Sequence, residues 1–174
     1  MNLFAPDYYK DFKCIADKCR HNCCIGWEID IDSETLDDYN QLPGELGIKL
    51  RNNISTEGVP HFILTSDERC PFLNKNNLCE IILSAGEGRL CQICSDHPRF
   101  RNFFDSCTEI GLGLCCEAVG RLILSQKNKM RIVPLNFDNT TASQDEQIFF
   151  NFRNKIIEEL QNRSIPVLAR IENM

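Results

Sequence analysis

The sequence predicts an α-rich α+β fold, with short helices and a small hairpin organised around a cysteine-bound metal or iron–sulfur site. Three observations predict it. Eleven cysteines occur in 174 residues, and most stand in tight groups. Helix starts and stops recur at short intervals, as capping residues followed by Pro or Gly. Strand-like alternation is confined to one brief stretch.

Taken in order, residues 1–24 read as irregular, with Cys14, Cys19, Cys23 and Cys24 on a loop or on short helical turns. From Gly26 to Asp32 the chain runs Gly-Trp-Glu-Ile-Asp-Ile-Asp, so Trp27, Ile29 and Ile31 alternate with acidic residues in the period of a half-buried strand. Asp32 or Ser33 then stands where an N-cap belongs, and a short helix over Glu34–Gln41 is stopped by Pro43 and Gly44. Leu46–Asn53 reads as a further turn of helix, and His61–Thr65 as a second strand. Cys70-Pro71-Phe72-Leu73 and Leu78-Cys79 flank a polar turn at Asn74–Asn77, which suggests a hairpin with a cysteine near each end. Cys79–Ser84 and Cys115–Ser125 suit helices, with Ala118, Leu122 and Ile123 as the buried stripe of the second, and Gly86 and Gly88 break the chain between them.

Residues 1–125 are read as one cysteine-rich metal- or cluster-binding domain, 126–142 as a polar linker and 143–174 as a helical C-terminal segment. Ser143-Gln144-Asp145-Glu146 is a capping box, in which hydroxyl and carboxylate each satisfy a backbone N–H. Ile148, Phe149, Phe152, Ile156 and Leu160 would form the apolar face of the helix that follows, and another short helix begins near Ser164.

Composition narrows the function classes. The formal net charge is −6, from 19 basic and 25 acidic residues, so the electrostatic footprint of nucleic-acid binding is missing. No apolar run approaches the roughly 20 residues that span a bilayer, and no signal peptide is visible, so a membrane partner is not expected and a cytoplasmic location is. In a reducing compartment, clustered cysteines favour metal over disulfide, and the odd count of 11 would leave one thiol over in full pairing. No Walker-type loop, Gly-x-Ser-x-Gly elbow or convincing dinucleotide fingerprint is present.

The spacing from Cys14 is C-x4-C-x3-C-C, a loop short enough to aim several sulfurs at one point. Vicinal residues rarely point both side chains at one metal, so one of Cys23 and Cys24 is expected to ligate and the other to pack. Four-thiolate sites hold either zinc or a [4Fe–4S] cluster, and spacing alone leaves both open. His21 and His97 are candidate nitrogen donors, although a hydrogen-bonded or surface ring is the plainer reading for a single histidine. Arg99 and Arg101 suit bidentate carboxylate or phosphate binding, or solvated surface charge.

At this point the residues resemble a family. Phe12-Lys13-Cys14, Cys19, Cys23-Cys24-Ile25-Gly26-Trp27, Ile31-Asp32 and Tyr39 are similar to the opening of the flagellin lysine-N-methylases. Cys70-Pro71-Phe72-Leu73, Leu78-Cys79, Cys94, Pro98-Arg99, Leu114-Cys115-Cys116 and Arg121-Leu122 follow in that family's order. The first block also resembles the wider group of zinc- or iron-chelating cysteine-cluster domains. The resemblance covers about residues 8–125. It implies an iron–sulfur protein, with zinc as the alternative metal, that methylates lysine amines of a flagellin-like protein substrate from S-adenosylmethionine. It implies metal ligands among Cys14, Cys19, Cys23, Cys24, Cys70, Cys79, Cys94 and Cys116, with Arg99 toward the cofactor and Cys91, Cys107 and Cys115 outside the pattern. The catalytic base is unassigned; Glu28, Asp30 and Asp32 stand near the first cysteines, where a base for lysine would be needed, or simply form the solvent face of a strand. The rival expectation is a non-catalytic metal-chelating domain that docks another protein.

Overall fold

The computed structural model describes residues 1–20 and 22–174. In chain order its elements are β1 (Asn2–Pro6), α1 (Ser33–Gln41), α2 (Gly44–Asn52), β2 (Ile54–Ser55), β3 (His61–Phe62), α3 (Glu80–Ala85), α4 (Gln92–Asp96), β4 (Arg99–Phe103), β5 (Cys107–Leu112), α5 (Glu117–Leu124), β6 (Ile132–Asn136), α6 (Gln144–Leu160) and α7 (Val167–Glu172). Short 3-10 turns lie at Tyr9–Asp11, Ala16–Lys18 and Glu87–Arg89. The chain divides into two units. One comprises Met1–Phe12, Arg99–Gly113 and Arg121–Met174, and the other Lys13–Pro98 and Leu114–Gly120. The fold is mixed α and β, as predicted in outline, but its strand content exceeds the single hairpin expected. Among the described residues, no helix is long and apolar enough to cross a membrane.

The first unit is built on a four-stranded sheet in the order β4-β5-β1-β6. β4 and β5 form an antiparallel hairpin, β1 lies parallel to β5 with Asn2 opposite Cys107, and β6 closes the other edge antiparallel to β1. β5 is buried along its length except at Glu109, as a central strand requires. β6 lies in the stretch read as a linker. Its Pro134 hid it, since proline lacks the N–H a central strand must donate. At the sheet edge, opposite Phe4 and beside a register shift, that loss is tolerated. Asn2 stitches the sheet to the following loop: its amide donates to Thr140 O at 2.8 Å and accepts from Asp138 N at 2.7 Å.

α6 begins at the predicted capping box, with Glu146 N donating to Ser143 Oγ at 3.2 Å and Ser143 N to Glu146 Oε2 at 3.1 Å. Glu146 Oε1 also accepts from Ser106 N at 3.2 Å. The helix docks by polar anchors together with Phe149 of the predicted stripe and Phe150, whose rings stand 5.8 and 5.0 Å from that of Phe104. Arg153 clasps Glu109 of β5 with two bonds, at 2.6 and 2.8 Å, and its guanidinium lies 5.1 Å from the Phe150 ring centroid. Ile148 and Phe152, placed by periodicity on the buried face, are both 60% exposed.

The second unit packs around Ile29, Ile31, Tyr39, Leu50, Phe62, Phe72 and Ile81, together with Cys70 and Cys91. The alternation at 26–32 sets burial correctly, since Ile29 and Ile31 point inward and Glu28 and Asp30 outward, yet no strand forms there. The segment is extended and pairs in places, through Ile31 N to Pro60 O at 2.7 Å and Phe62 N to Ile29 O at 3.1 Å. The expected strand at His61–Thr65 shortens to β3, because beyond Phe62 the chain turns at Thr65–Arg69. The expected hairpin at 70–79 reduces to one bridge between Leu73 and Cys79 around a turn held by Asn74 Oδ1, which accepts from Asn76 N and Leu78 N.

Two polar devices organise these helices. Asp32 caps α1 through Thr35 N at 3.0 Å, and its second carboxylate oxygen accepts from Gln92 N at 2.8 Å, the first residue of α4. One side chain therefore satisfies free N–H groups of two helices about sixty residues apart. At the other end of α1, Arg51 of α2 donates to the carbonyls of Tyr39, Asn40 and Leu42 at 3.2, 3.2 and 2.9 Å. The close approach of the two helices needs a glycine, because a Cβ on Gly47 would stand 1.8 Å from Leu42 O.

Gly47→Ala should therefore destabilise the protein by about 2–3 kcal/mol, since backbone must move to admit the methyl group. Gly111→Ala meets only the ring of Phe100, which is half-exposed and can turn away, and should cost less than about 1 kcal/mol. Chemical denaturation of both variants checks the order. Asp32→Ala removes two caps and should cost about 2 kcal/mol. Burial opposes ionisation of Asp32, but the N–H groups of Gln92 and Thr35 and the Thr35 hydroxyl outweigh it and hold the carboxyl below its ordinary pKa. Its stabilisation is accordingly complete above the unfolded-state value of about 4 and lost as the pH falls further. Wild type and Asp32→Ala should converge in stability on acidification, which a pH series of unfolding curves measures.

Candidate metal centre

Every cysteine except Cys107 lies in the second unit. They arrive there from four separate stretches: the irregular N-terminal segment, the turn around residues 70–79, the start of α4, and the residues just before α5. Cys107 sits on β5 in the other unit. Cys115 is exposed.

Five thiols surround the core. Cys70 is 6% and Cys91 1% exposed, and Cys24, Cys79 and Cys94 pack against the same cluster. Backbone bonds fix their positions. Cys70 N donates to Cys24 O at 2.8 Å, Cys79 bridges Leu73, and Glu80 N donates to Phe72 O at 2.8 Å. Cys91 is the N-cap of α4 and Cys94 lies in its first turn, held over it by Cys94 N to Cys91 O at 3.0 Å. Asp32, by capping the same turn, sets the position of this Cys91-x2-Cys94 pair. Tyr39 completes the wall, fully buried, with its hydroxyl donating to Arg89 O at 2.7 Å.

A second set lies toward solvent. Cys19 is within electrostatic reach of Cys116, Cys14, Glu117 and Cys23. Arg20 N donates to Glu117 Oε2 at 2.6 Å, which ties the residue after Cys19 to the residue after Cys116. Ala16 N donates to Cys14 Sγ at 3.4 Å. The vicinal pair stands between the sets: Trp27 Nε1 donates to Cys23 O at 2.6 Å, and Cys24 N to Asn22 Oδ1 at 2.9 Å.

Electrostatics follow from this crowding. A hydrogen bond to Cys23, then burial, then the charges of Cys23, Cys70 and Cys79 push the Cys24 thiol up, while the same bond pulls Cys23 down. Cys94 is raised by its bond to Cys91, by burial and by the charges of Cys91, Cys24 and Cys70; Cys91 is correspondingly lowered. Burial, with the neighbouring Cys79 and Cys91, pushes Cys70 up to about 11. Burial raises Tyr39 as well, reinforced by Cys91 and Cys94. Within each bonded pair one thiol is lowered and the other raised, so Cys23 and Cys91 ionise ahead of Cys24 and Cys94, and ionising both members of a pair calls for a compensating cation.

The donor chemistry fits a thiophilic metal, since soft sulfur ligands suit zinc and iron–sulfur clusters. Among the described residues, no three His, Cys, Asp or Glu side chains are already arranged as a metal site. His21 lies outside the described residues. His97 stands three residues after Cys94, and its ring is 6.2 Å from that of Trp27. Its Nε2 is buried without a hydrogen-bond partner, and burial holds its pKa below the ordinary value, so the imidazole is neutral as a metal ligand must be. Arg99 lies in the first unit, where its Nε donates to the Tyr9 hydroxyl at 3.1 Å and its guanidinium stands over the Phe12 ring. Of the acidic residues near the first cysteines, Asp32 is occupied as a double cap, whereas Glu28 and Asp30 are exposed. The resemblance leaves Cys91 aside, yet the structure sets it against Cys94; its C-x2-C spacing was the signal available in the sequence.

No protein-family model matches the chain, and no solved structure matches it. Curated relatives do. The chain is 27% identical over 140 residues to proteins named Lysine-N-methylase from Salmonella choleraesuis and Salmonella typhimurium, an alignment covering 76% of this chain and 35% of each relative. It is 26% identical to the Flagellar biosynthetic protein FliU of Salmonella muenchen, covering 76% of this chain and 82% of that protein. The chain thus spans about a third of the length of the two lysine-N-methylases it matches. The chain is thus similar, at 26–27% identity over 76% of its length, to proteins named Lysine-N-methylase and Flagellar biosynthetic protein FliU.

Proposed function

We propose that this protein carries a thiolate-bound centre, iron–sulfur with zinc as the alternative, and serves lysine N-methyl transfer from S-adenosylmethionine to a flagellin-like protein. The observation that carries the proposal is the gathering of ten cysteines from four stretches into one unit, in a chain related to proteins named for lysine methylation. A packing role alone gives no reason for so many thiols, partly exposed and mutually opposed in charge, to collect in one place.

The chemistry sets clear requirements. An ammonium has no lone pair, and a free lysine has a pKa of about 10.4, so the site must desolvate the amine or take its proton. Glu28 and Asp30, near the first cysteines, are exposed and available for that task. When bound, an iron–sulfur centre with an open iron position supplies a Lewis acid that positions the donor. Arg99 is the proposed carboxylate anchor for the methyl donor. The buried Cys70 and Cys91 favour a second reading, a closed structural centre in a non-catalytic docking domain.

Anaerobically purified protein should contain iron and inorganic sulfide and absorb broadly in the blue. Incubated with radiolabelled S-adenosylmethionine and flagellin, it should transfer label to lysine. Stoichiometric metal without transfer supports the docking domain, and absence of any metal removes both readings. Cys19→Ser and Cys79→Ser should each lower bound metal, whereas Cys107→Ser should retain the wild-type content, as elemental analysis of the three variants would show.

A further inference from the structure

Two pairs of thiols in the second unit are hydrogen-bonded to each other, Cys23 with Cys24 and Cys91 with Cys94. The backbone treats them differently. Cys23 and Cys24 are consecutive, so their Cα atoms stand about 3.8 Å apart, closer than the roughly 4.4 Å at which unstrained disulfides begin. Cys91 and Cys94 are one helical turn apart, a separation of roughly 5 Å by helix geometry, inside the range disulfides span. Their turn is held independently of the two sulfurs. Cys94 N and Ser95 N both donate to Cys91 O at 3.0 Å, and Gln92 N donates to Asp32 Oδ2 at 2.8 Å. Joining the sulfurs therefore asks for side-chain rotation and leaves these backbone bonds in place. The members also differ in depth. Cys91 is 1% exposed, whereas Cys94 is half-buried and stands between it and solvent.

From this geometry we propose that Cys91 and Cys94 form a redox-active dithiol, a site of reversible oxidation whose oxidant is a small peroxide. Depth selects the oxidant: hydrogen peroxide is hardly larger than water and reaches Cys91 past Cys94, where a bulky disulfide does not. Within the pair the Cys94 thiol donates and the Cys91 sulfur accepts, so Cys91 is the attacking group. Its thiolate attacks one peroxide oxygen, the O–O bond breaks, and the departing hydroxide leaves as water with a proton. The Cys94 sulfur then attacks the Cys91 sulfenic acid, the S–S bond forms, and the second oxygen leaves as water. Two thiols and one peroxide thus give one disulfide and two waters; sulfur gives up two electrons and the peroxide takes them. A thiol reductant returns the pair by exchange. The proposal does not rest on the thiolate-centre reading. Metal bound at Cys94 would shield the pair, and oxidation would withdraw Cys94 from any ligand set.

Peroxide treatment of the reduced full-length chain, followed by alkylation and peptide mapping, tests this. It is run on the protein as purified and again after a chelator, with circular dichroism as the check of fold. A Cys91–Cys94 bridge should form in both samples, later in whichever holds metal, and dithiothreitol should reverse it fully. Oxidised glutathione should modify the exposed Cys14, Cys23 and Cys115 before it closes this bridge. Cys94→Ser should leave Cys91 as a sulfenic acid that dimedone traps, because the resolving thiol is gone. Cys91→Ser alters a core residue; if it folds, Cys94 should remain alkylatable, and if it does not, the Cys94→Ser trapping decides. Cys91 and Cys94 both still alkylated in both samples once Cys23 is oxidised, or a bridge from either to another cysteine, overturns the proposal. Elemental analysis of the untreated protein judges the metal reading separately, so the two can fail independently.

Discussion

The burial of thiols in contact with one another, with repulsion among their thiolates added, is the constraint on which the second unit turns. Two unit charges 4 Å apart repel by about 4 kcal/mol at an effective permittivity of about 20, so a crowd of sulfurs around one core cannot ionise together unaided. The Cys24 and Cys94 thiols are raised first by the hydrogen bond within each pair and then by burial, and Cys70 first by burial, with the neighbouring thiolates adding to all three. Either the thiols stay protonated and act as small apolar groups, or a cation turns mutual opposition into shared attraction. Cys70 and Cys91 are at home in the first state, filling the core beside Phe72 and Tyr39. The half-exposed members gain little from burial, and the second state gives them a purpose.

The local architecture serves to hold these sulfurs still. Asp32 is the clearest case. It was readable as an N-cap, and it also stood among the acidic residues considered for proton transfer. Its two oxygens are spent on Thr35 and Gln92, so it positions the Cys91-x2-Cys94 turn relative to α1 and is a structural residue. Arg51 and Gly47 lock α2 across the other end of α1, and the ion pairs Lys49–Glu80 and Arg89–Asp38 tie α2 to α3 and α1 to the following turn.

Local signals were legible where local physics decides. The cap at Asp32, the stop at Pro43-Gly44, the capping box at Ser143 and the in–out alternation at Ile29 and Ile31 all appear where the residues placed them. What the sequence hid was long-range pairing. β1 is an interior strand and β6 an edge strand, their partners lie over a hundred residues away, and Pro134 argues against a strand unless the edge position is known. The apolar face of α6 holds only in part: Phe149 packs on Phe104, whereas Ile148 and Phe152 are exposed and Arg153 is paired with Glu109. Cysteine spacing indicated a thiol-rich site but not its partition, since the link between Cys19 and Cys116 runs through a backbone bond to Glu117 that no spacing rule contains.

The central claim is that sulfur from this chain binds metal directly. X-ray absorption at the edge of whichever metal the purified protein carries measures that most directly. The account predicts a first shell of sulfur scatterers at about 2.3 Å. A first shell made only of nitrogen and oxygen at about 2.0–2.1 Å would contradict it.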